Sequence, residues 1–319
     1  MIGILTFQRL GHLDVIRLHS ILNIFHDTQF EPFVYHVHPG WKDAGTKGCE
    51  VMLDAKVDAV LLVHPSRNVQ AEQIQQLTQE GIPVVSIEGD WLESIPRFST
   101  NREEAFGTLA HHMIEQGCRN IILLKASEKD SRSSDDMAAG FKSMLDTLSP
   151  SLKRSIHYEE YGPSTHDRER EARNHPEIHL MNLPGYLGMK QLLARQKPPD
   201  AVIGVMDVLT LGALRACSEA GVAVPSGVSL AGFGNEPSGS VGALPITSVE
   251  LPLDELSGQA FDAIQQALKS SAPPKPTLTR LSCRLIVRQS SLRQKFQMAG
   301  RGLPQAMPYV LAEPRSVLT

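Results

Sequence analysis

Two periods of hydrophobic and polar residues alternate along this chain. Short apolar runs bounded by turn residues recur at 2–7, 33–38, 57–63, 83–87, 121–124, 201–206 and 228–233, each of a length suited to a buried strand. Between them lie stretches with apolar residues three or four apart. Residues 13–25 carry Val15, Leu18, Leu22 and Phe25, residues 137–148 carry Phe141, Met144, Leu145 and Leu148, and residues 184–196 carry Tyr186, Met189, Leu192 and Leu193. Further helices are expected at 71–80, 103–116, 209–220 and 253–268, with Gly81, Gly117 and Gly221 as stops. The stretch 199–237 is the clearest unit, a strand, a helix and a strand joined by a link long enough for a crossover, so its two strands should run parallel.

The alternation predicts an α/β protein of two Rossmann-like lobes with parallel sheets. The first lobe is expected to hold residues 1–125 and 252–281, the second 126–251 and 282–291, with 292–319 as a tail. Residues 155–161 and 281–287 read as further strands, and the charged stretch 162–176 as an excursion without apolar period. In open parallel sheets ligands bind beyond the carboxyl ends of strands, which points to residues 206–208 and 234–236.

Composition narrows the class. With 319 residues, 41% apolar and 21% charged, the chain has room for two cores and a globular balance. Its 31 basic and 35 acidic side chains leave a net charge of −4, so no overall field draws it to a phosphate backbone. Cys49, Cys118, Cys217 and Cys283 lack CxxC spacing and read as reduced thiols. No apolar run reaches the ~20 residues of a membrane span and the start reads as a strand, so a cytoplasmic protein is expected. No metal is expected, because neither His36 with His38 nor His111 with His112 has the i, i+4 spacing of a ligand pair. Residues 232–237 read GxGxxP, without the third glycine of a dinucleotide fingerprint, and 227–231 read GVSLA, with Ser229 inside a strand instead of at an exposed elbow. No cofactor is therefore expected, nor an enzyme: no base, nucleophile and electrophile share a coherent spacing.

VDAVLLV, IPVVSI, NREEAFGTLAHHMIEQGCRNIILL, VMDVLTLGALRACSEAGVAVPSGVSLAGFGN, LPITSVELPLDELSGQAFDAI and LIVRQSS together resemble the effector-binding core of the lactose-repressor and galactose-repressor family of bacterial transcription regulators, over residues 2–291. The resemblance implies a periplasmic-binding-protein-like fold with three crossovers between lobes, a small polar effector such as a sugar, and a homodimer. It also implies that DNA is met only through a helix-turn-helix domain absent from this chain. A solute-binding protein of a sugar transporter is the alternative. This sequence departs from the family at three polar positions: Gly234 stands where an aspartate commonly accepts ligand hydroxyls, Met137 replaces an arginine, and Met206 precedes Asp207 in place of an asparagine.

Candidate ligand contacts follow from both arguments. Trp91 offers a plane for stacking on a sugar ring, or caps its lobe, with Glu88 and Asp90 beside it as hydroxyl acceptors. Phe7, Gln8 and Arg9 end the first strand, and Arg9 can meet an anionic group in bidentate fashion or stand solvated. Asp207 ends an apolar strand abruptly, where it either meets the ligand or caps the following helix. Arg132, Asp136 and Asn235 stand near the changed family positions and are candidates by register shift. Loss of the aspartate and the arginine implies a roomier, less charged site, better suited to a glycoside, disaccharide or acidic sugar than to a free hexose.

Overall fold

Strands of a parallel sheet are buried on both faces, so they read as unbroken apolar runs rather than as alternating ones. The computed structural model describes residues 1–7, 12–37, 43–65, 69, 71–128, 132–270, 274–293 and 310–311 and divides into two units. In chain order the first unit contains β1 (Ile2–Thr6), α1 (His12–Ile24), β2 (Pro32–His36), α2 (Ala44–Asp54), β3 (Ala59–Val63), α3 (Ala71–Gln79), β4 (Val84–Ile87) and β5 (Arg97–Thr100). The second contains α4 (Arg102–Glu115), β6 (Asn120–Leu124), α5 (Arg132–Asp146), α6 (Pro150–Arg154), β7 (His157–Tyr161), α7 (Thr165–Asn174), α8 (Leu183–Leu193), β8 (Ala201–Gly204), α9 (Asp207–Glu219), β9 (Ser229–Phe233), α10 (Pro237–Ser240) and β10 (Thr247–Glu250). The chain then returns to the first unit with α11 (Leu253–Lys269) and β11 (Leu278–Leu281), and ends in the second with β12 (Arg284–Val287) and β13 (Val310–Leu311).

The first unit's sheet is parallel throughout, in the order β11-β5-β4-β3-β1-β2. Successive side chains of its inner strands feed two cores. Ile2, Ile4, Leu61 and Val85 join Ile21 of α1 and Leu256, Phe261 and Ile264 of α11, while Leu5, Val60, Leu62 and Val84 join Met52 of α2 and Ile74 and Leu77 of α3. The second unit's sheet runs β13-β12-β10-β9-β8-β6-β7, parallel except where β12 pairs antiparallel with β10. One of its faces is covered by α8 and α9, whose buried Met189, Leu192, Ala213 and Ala216 meet Ile122, Val202 and Leu230. The two helices lie close enough that a Cβ on Gly185 would stand 1.9 Å from the carbonyl oxygen of Leu209.

Several expectations need correction. The first unit ends at Asn101, not 125. Helix α4 packs on α5, Phe106 lies 6.1 Å from Phe233, and β6 pairs with β7 and β8, so helix and strand both serve the second sheet. Residues expected as one strand at 281–287 are split between β11 and β12, in different sheets. The charged stretch after β7 contains α7, a helix of ten residues opened by Ser164, whose Oγ accepts from the amide of Asp167 at 3.1 Å. On α1 the buried face falls on Arg17, Ser20 and Ile21, leaving Val15 50% exposed. Residues 51–57 pack into the core of their own unit through Met52 and Val57. Most of the tail 292–319 lies outside the described residues. At its start Arg293 donates to the Pro225 carbonyl at 3.1 Å and to Ser229 Oγ at 2.9 Å. All four cysteines are free thiols, and Cys49, Cys118 and Cys217 are buried. No described helix is long and apolar enough to cross a membrane.

Candidate functional site

Where the strand order of a parallel sheet reverses, consecutive connections leave on opposite faces and open a crevice beyond the carboxyl ends. In the first unit this point lies between β1 and β3, and in the second between β6 and β8.

At the first, Phe7 follows β1 but is only 1% exposed and packs in the core on the α2 side, which corrects the expectation that its ring meets a ligand. Gln8 and Arg9 lie outside the described residues. At the ends of β1 and β3 the structure assembles a polar group that the sequence reading missed. Thr6 Oγ1 stands 2.8 Å from His36 Nδ1 across the β1–β2 pair. Arg17, 2% exposed, donates from one guanidinium nitrogen to Asp14 Oδ1 at 2.9 Å and lies 3.3 Å from His64 Nδ1. His64 leaves β3 in a left-handed conformation, with φ of 48°, that turns its ring toward Asp14 Oδ1 at 3.4 Å. The i, i+3 spacing of Asp14 and Arg17 was the available signal, but the apolar residues around them drew the helix reading elsewhere.

After β4 the chain turns at Glu88, again left-handed with φ of 63°. Glu88 is 2% exposed and accepts from Thr100 Oγ1 at 2.9 Å. Asp90 binds the end of the sheet: its carboxylate accepts from Ser99 Oγ and, at 3.1 Å, from Arg280, and its carbonyl accepts from Arg97 at 2.8 Å. Trp91 is half-buried, packed against the core on the α2 side.

In the second unit Asp207 is the first residue of α9 and has no exposed surface. Its side chain does not cap its own helix. Oδ2 accepts from the amide of Glu236 at 2.7 Å and Oδ1 from Ser248 Oγ at 2.7 Å, tying the start of α9 to the β9–α10 turn and to β10. Burial pushes its carboxyl up to about 6, against the opposing pull of these two hydrogen bonds and the nearby Arg288. Ser248 Oγ also accepts from the amide of Asn235 at 2.9 Å. Asn235 donates to Glu250 Oε1 at 2.9 Å and accepts from Arg288 at 2.6 Å, so Asp207 and Asn235 share one network. Ser248 and Glu250 on β10 and Arg288, just after β12, were not found in the sequence, because they stand far along the chain from Asp207.

The turn that leads from β9 to Glu236 passes through Gly234, at φ of 121°, where L side chains are strained. Glycine is demanded there by the backbone as built, beyond the mere absence of a carboxylate. On α5, Asp136 is exposed and Met137 is buried. Arg132 begins that helix, and its side chain lies outside the described residues. The structure thus joins Asp207 with Asn235, and places Glu88, Asp90 and Trp91 on one turn of the other unit. A hydrolytic reading finds no support in the one close serine–histidine pair we note: His112 Nε2 stands 2.7 Å from Ser291 Oγ, but both residues are buried.

Residues 110–291 match the family model described as periplasmic binding protein-like domain. Among curated proteins, the chain is similar to the HTH-type transcriptional repressor PurR of Actinobacillus pleuropneumoniae, 22% identical over 76% of this chain and 66% of the relative. It is also similar to the HTH-type transcriptional regulator GalR of Streptococcus thermophilus, 27% identical over 69% of this chain and 62% of the relative. The chain therefore spans somewhat less than two thirds of the length of these relatives. Among solved structures, a dimeric Lac repressor with an 11-residue C-terminal deletion superposes with a TM-score of 0.73 at 18% identity, covering 91% of this chain and 98% of that one. The LacI family regulator CCPA of Weissella paramesenteroides, with bound sucrose, superposes at 0.71 and 19% identity, covering 92% and 99%. At these identities the likeness is one of fold.

Proposed function

The chain belongs to the periplasmic binding protein-like domain family, and from that footing we propose that it is the effector-sensing part of a transcription regulator that takes a sugar or sugar-derived small molecule at the carboxyl edge of its second sheet. The observation that carries this reading is the network of Asp207, Ser248, Asn235 and Arg288. It gathers polar side chains at the carboxyl edge of the second sheet, beside its switch point, and holds the 234–236 turn in one conformation. Asn235 and Asp136 are the residues of this unit proposed to face the effector. Asp207, having no open surface, is proposed to position Asn235 through Ser248. The sucrose in the CCPA structure supports a sugar as the ligand class. The HTH-type names of the curated relatives support DNA contact through a separate reader domain, and the dimeric Lac repressor supports a homodimer.

Position 234 carries no carboxylate, so free hexoses should bind less tightly than disaccharides or glycosides that gain more from packing. Calorimetric titration with ribose, glucose, galactose, sucrose and methyl glycosides tests this. A saturable site that favours sucrose or a glycoside and is weakened by Asn235→Ala is the expected result, and at about 100 times Kd it adds about 2.7 kcal/mol to stability. Absence of binding across the panel, or turnover of any sugar, would overturn the sensor reading.

A further inference from the structure

The first unit has a second concavity, at the opposite edge of its sheet from Glu88 and His64. A cavity of about 740 Å³ opens where β4 and β5 begin, against α3 and the end of α11. Its volume falls within the range of about 300–1,000 Å³ usual for small-molecule sites. The floor is apolar and already dry: Val84, Ile95 and Ala267 are 1%, 2% and 6% exposed. Because the strands of this sheet are all parallel, the edge at which they start is separated from the carboxyl edge by the full length of the strands.

The wall offers few backbone donors, and its neutral polar side chains are Gln75, Thr78, Ser94 and Ser270. Pro83, Pro96, Pro274 and Pro276 have no N–H to offer. The amides of Gly81, Ile82, Ile95 and Ser270 are already given to the carbonyls of Thr78, Leu77, Leu92 and Ala267. Among the described residues that line the cavity, Glu72 is the one ionisable side chain, and none is lysine, arginine or histidine. The start of α3 reaches the rim at Ala71, where the helix dipole would favour an anion, but Glu72 already supplies a carboxylate to that first turn. An anionic ligand would therefore meet a like charge at Glu72. An apolar body with a cationic head meets the opposite conditions.

We propose that this amino-edge cavity is a second small-molecule site, specific for hydrophobic amines and separate from the effector site. Naphthalene probes of equal shape separate the contributions: 2-naphthylmethylamine, 2-naphthylmethanol and 2-naphthoate, titrated calorimetrically into the whole chain with and without saturating sucrose. The amine should bind one-to-one and about ten-fold or more tighter than the carboxylate, with the alcohol between them. Glu72→Gln, at an exposed position, should weaken the amine by about two- to five-fold and leave the alcohol unchanged. Ala267→Phe fills the floor and should abolish binding of all three. Should that variant fail to fold, Ser94→Trp, on the exposed rim, should weaken all three without disturbing the core. The proposal is overturned if the amine shows no saturable binding, if the naphthoate binds as tightly, or if rim and floor variants both leave affinity intact. Displacement of the amine by sucrose would assign the probe to the effector site and would equally overturn it.

Discussion

Two buried groups of the second unit titrate in opposite senses, and their opposition is open to measurement. Burial raises Asp207 from 3.8 to about 6, and burial, aided by the neighbouring His111, lowers His112 from 6.5 to about 4. A carboxyl whose folded value is raised contributes stability that is complete below its unfolded value and is lost as pH rises through the folded one. A histidine whose folded value is lowered does the reverse, costing stability as pH falls from its unfolded value toward the folded one. At 1.36 kcal/mol per unit each slope amounts to about 3 kcal/mol, both lying between about pH 4 and 6.5. In the unmodified chain the two nearly cancel. Asp207→Asn should therefore unmask a stability that rises by about 3 kcal/mol from pH 4 to 6.5, and His112→Gln one that falls by a similar amount. Each substitution also shifts the whole curve, since Asp207→Asn presents an amide to the Glu236 N–H or to Ser248, and only the slope is diagnostic. Both tryptophans, Trp41 and Trp91, lie in the first unit, so the second unit must be followed by circular dichroism or calorimetry in denaturant series across pH. Parallel pH curves for the two variants and the unmodified chain would refute the reasoning.

Gly185→Ala should destabilise the second unit by about 1–3 kcal/mol, because the new methyl meets the Leu209 carbonyl and α8 must move off α9; a lower urea midpoint by circular dichroism is the expected observation, and an unchanged one would mean the helices yield freely. Arg17→Met, which leaves Asp14 and His64 without the guanidinium between them, should cost about 1–3 kcal/mol and shift the tryptophan-detected midpoint of the first unit. Light scattering at micromolar concentration should give the mass of a dimer, and a strictly monomeric mass would count against the homodimer.

Much of the fold was legible because its signals are local. The runs at 2–7, 57–63, 121–124, 201–206 and 228–233 are apolar on both faces, and such strands must be covered by helices on both sides, so periodicity alone determined a parallel α/β protein. The carboxyl ends of β8 and β9 were likewise legible as places where polar residues interrupt apolar runs, which brought Asp207 and Asn235 into view. What the tertiary structure decided is partnership. Nothing local to α4 and β6 states which sheet they join, since that depends on α5, β7 and β8. Asp207 sits at a strand end whether it meets a ligand or the protein, and only the folded chain brings Ser248, 41 residues away, to its oxygen. On α1 a stripe of leucines and a valine outlined a face, yet the buried face includes Arg17, because Asp14 and His64 reward its charge with partners that come from the same turn and from a strand 50 residues from Asp14. Hydrophobic period is a property of neighbours in sequence, whereas hydrogen-bond partners and sheet order are properties of neighbours in space.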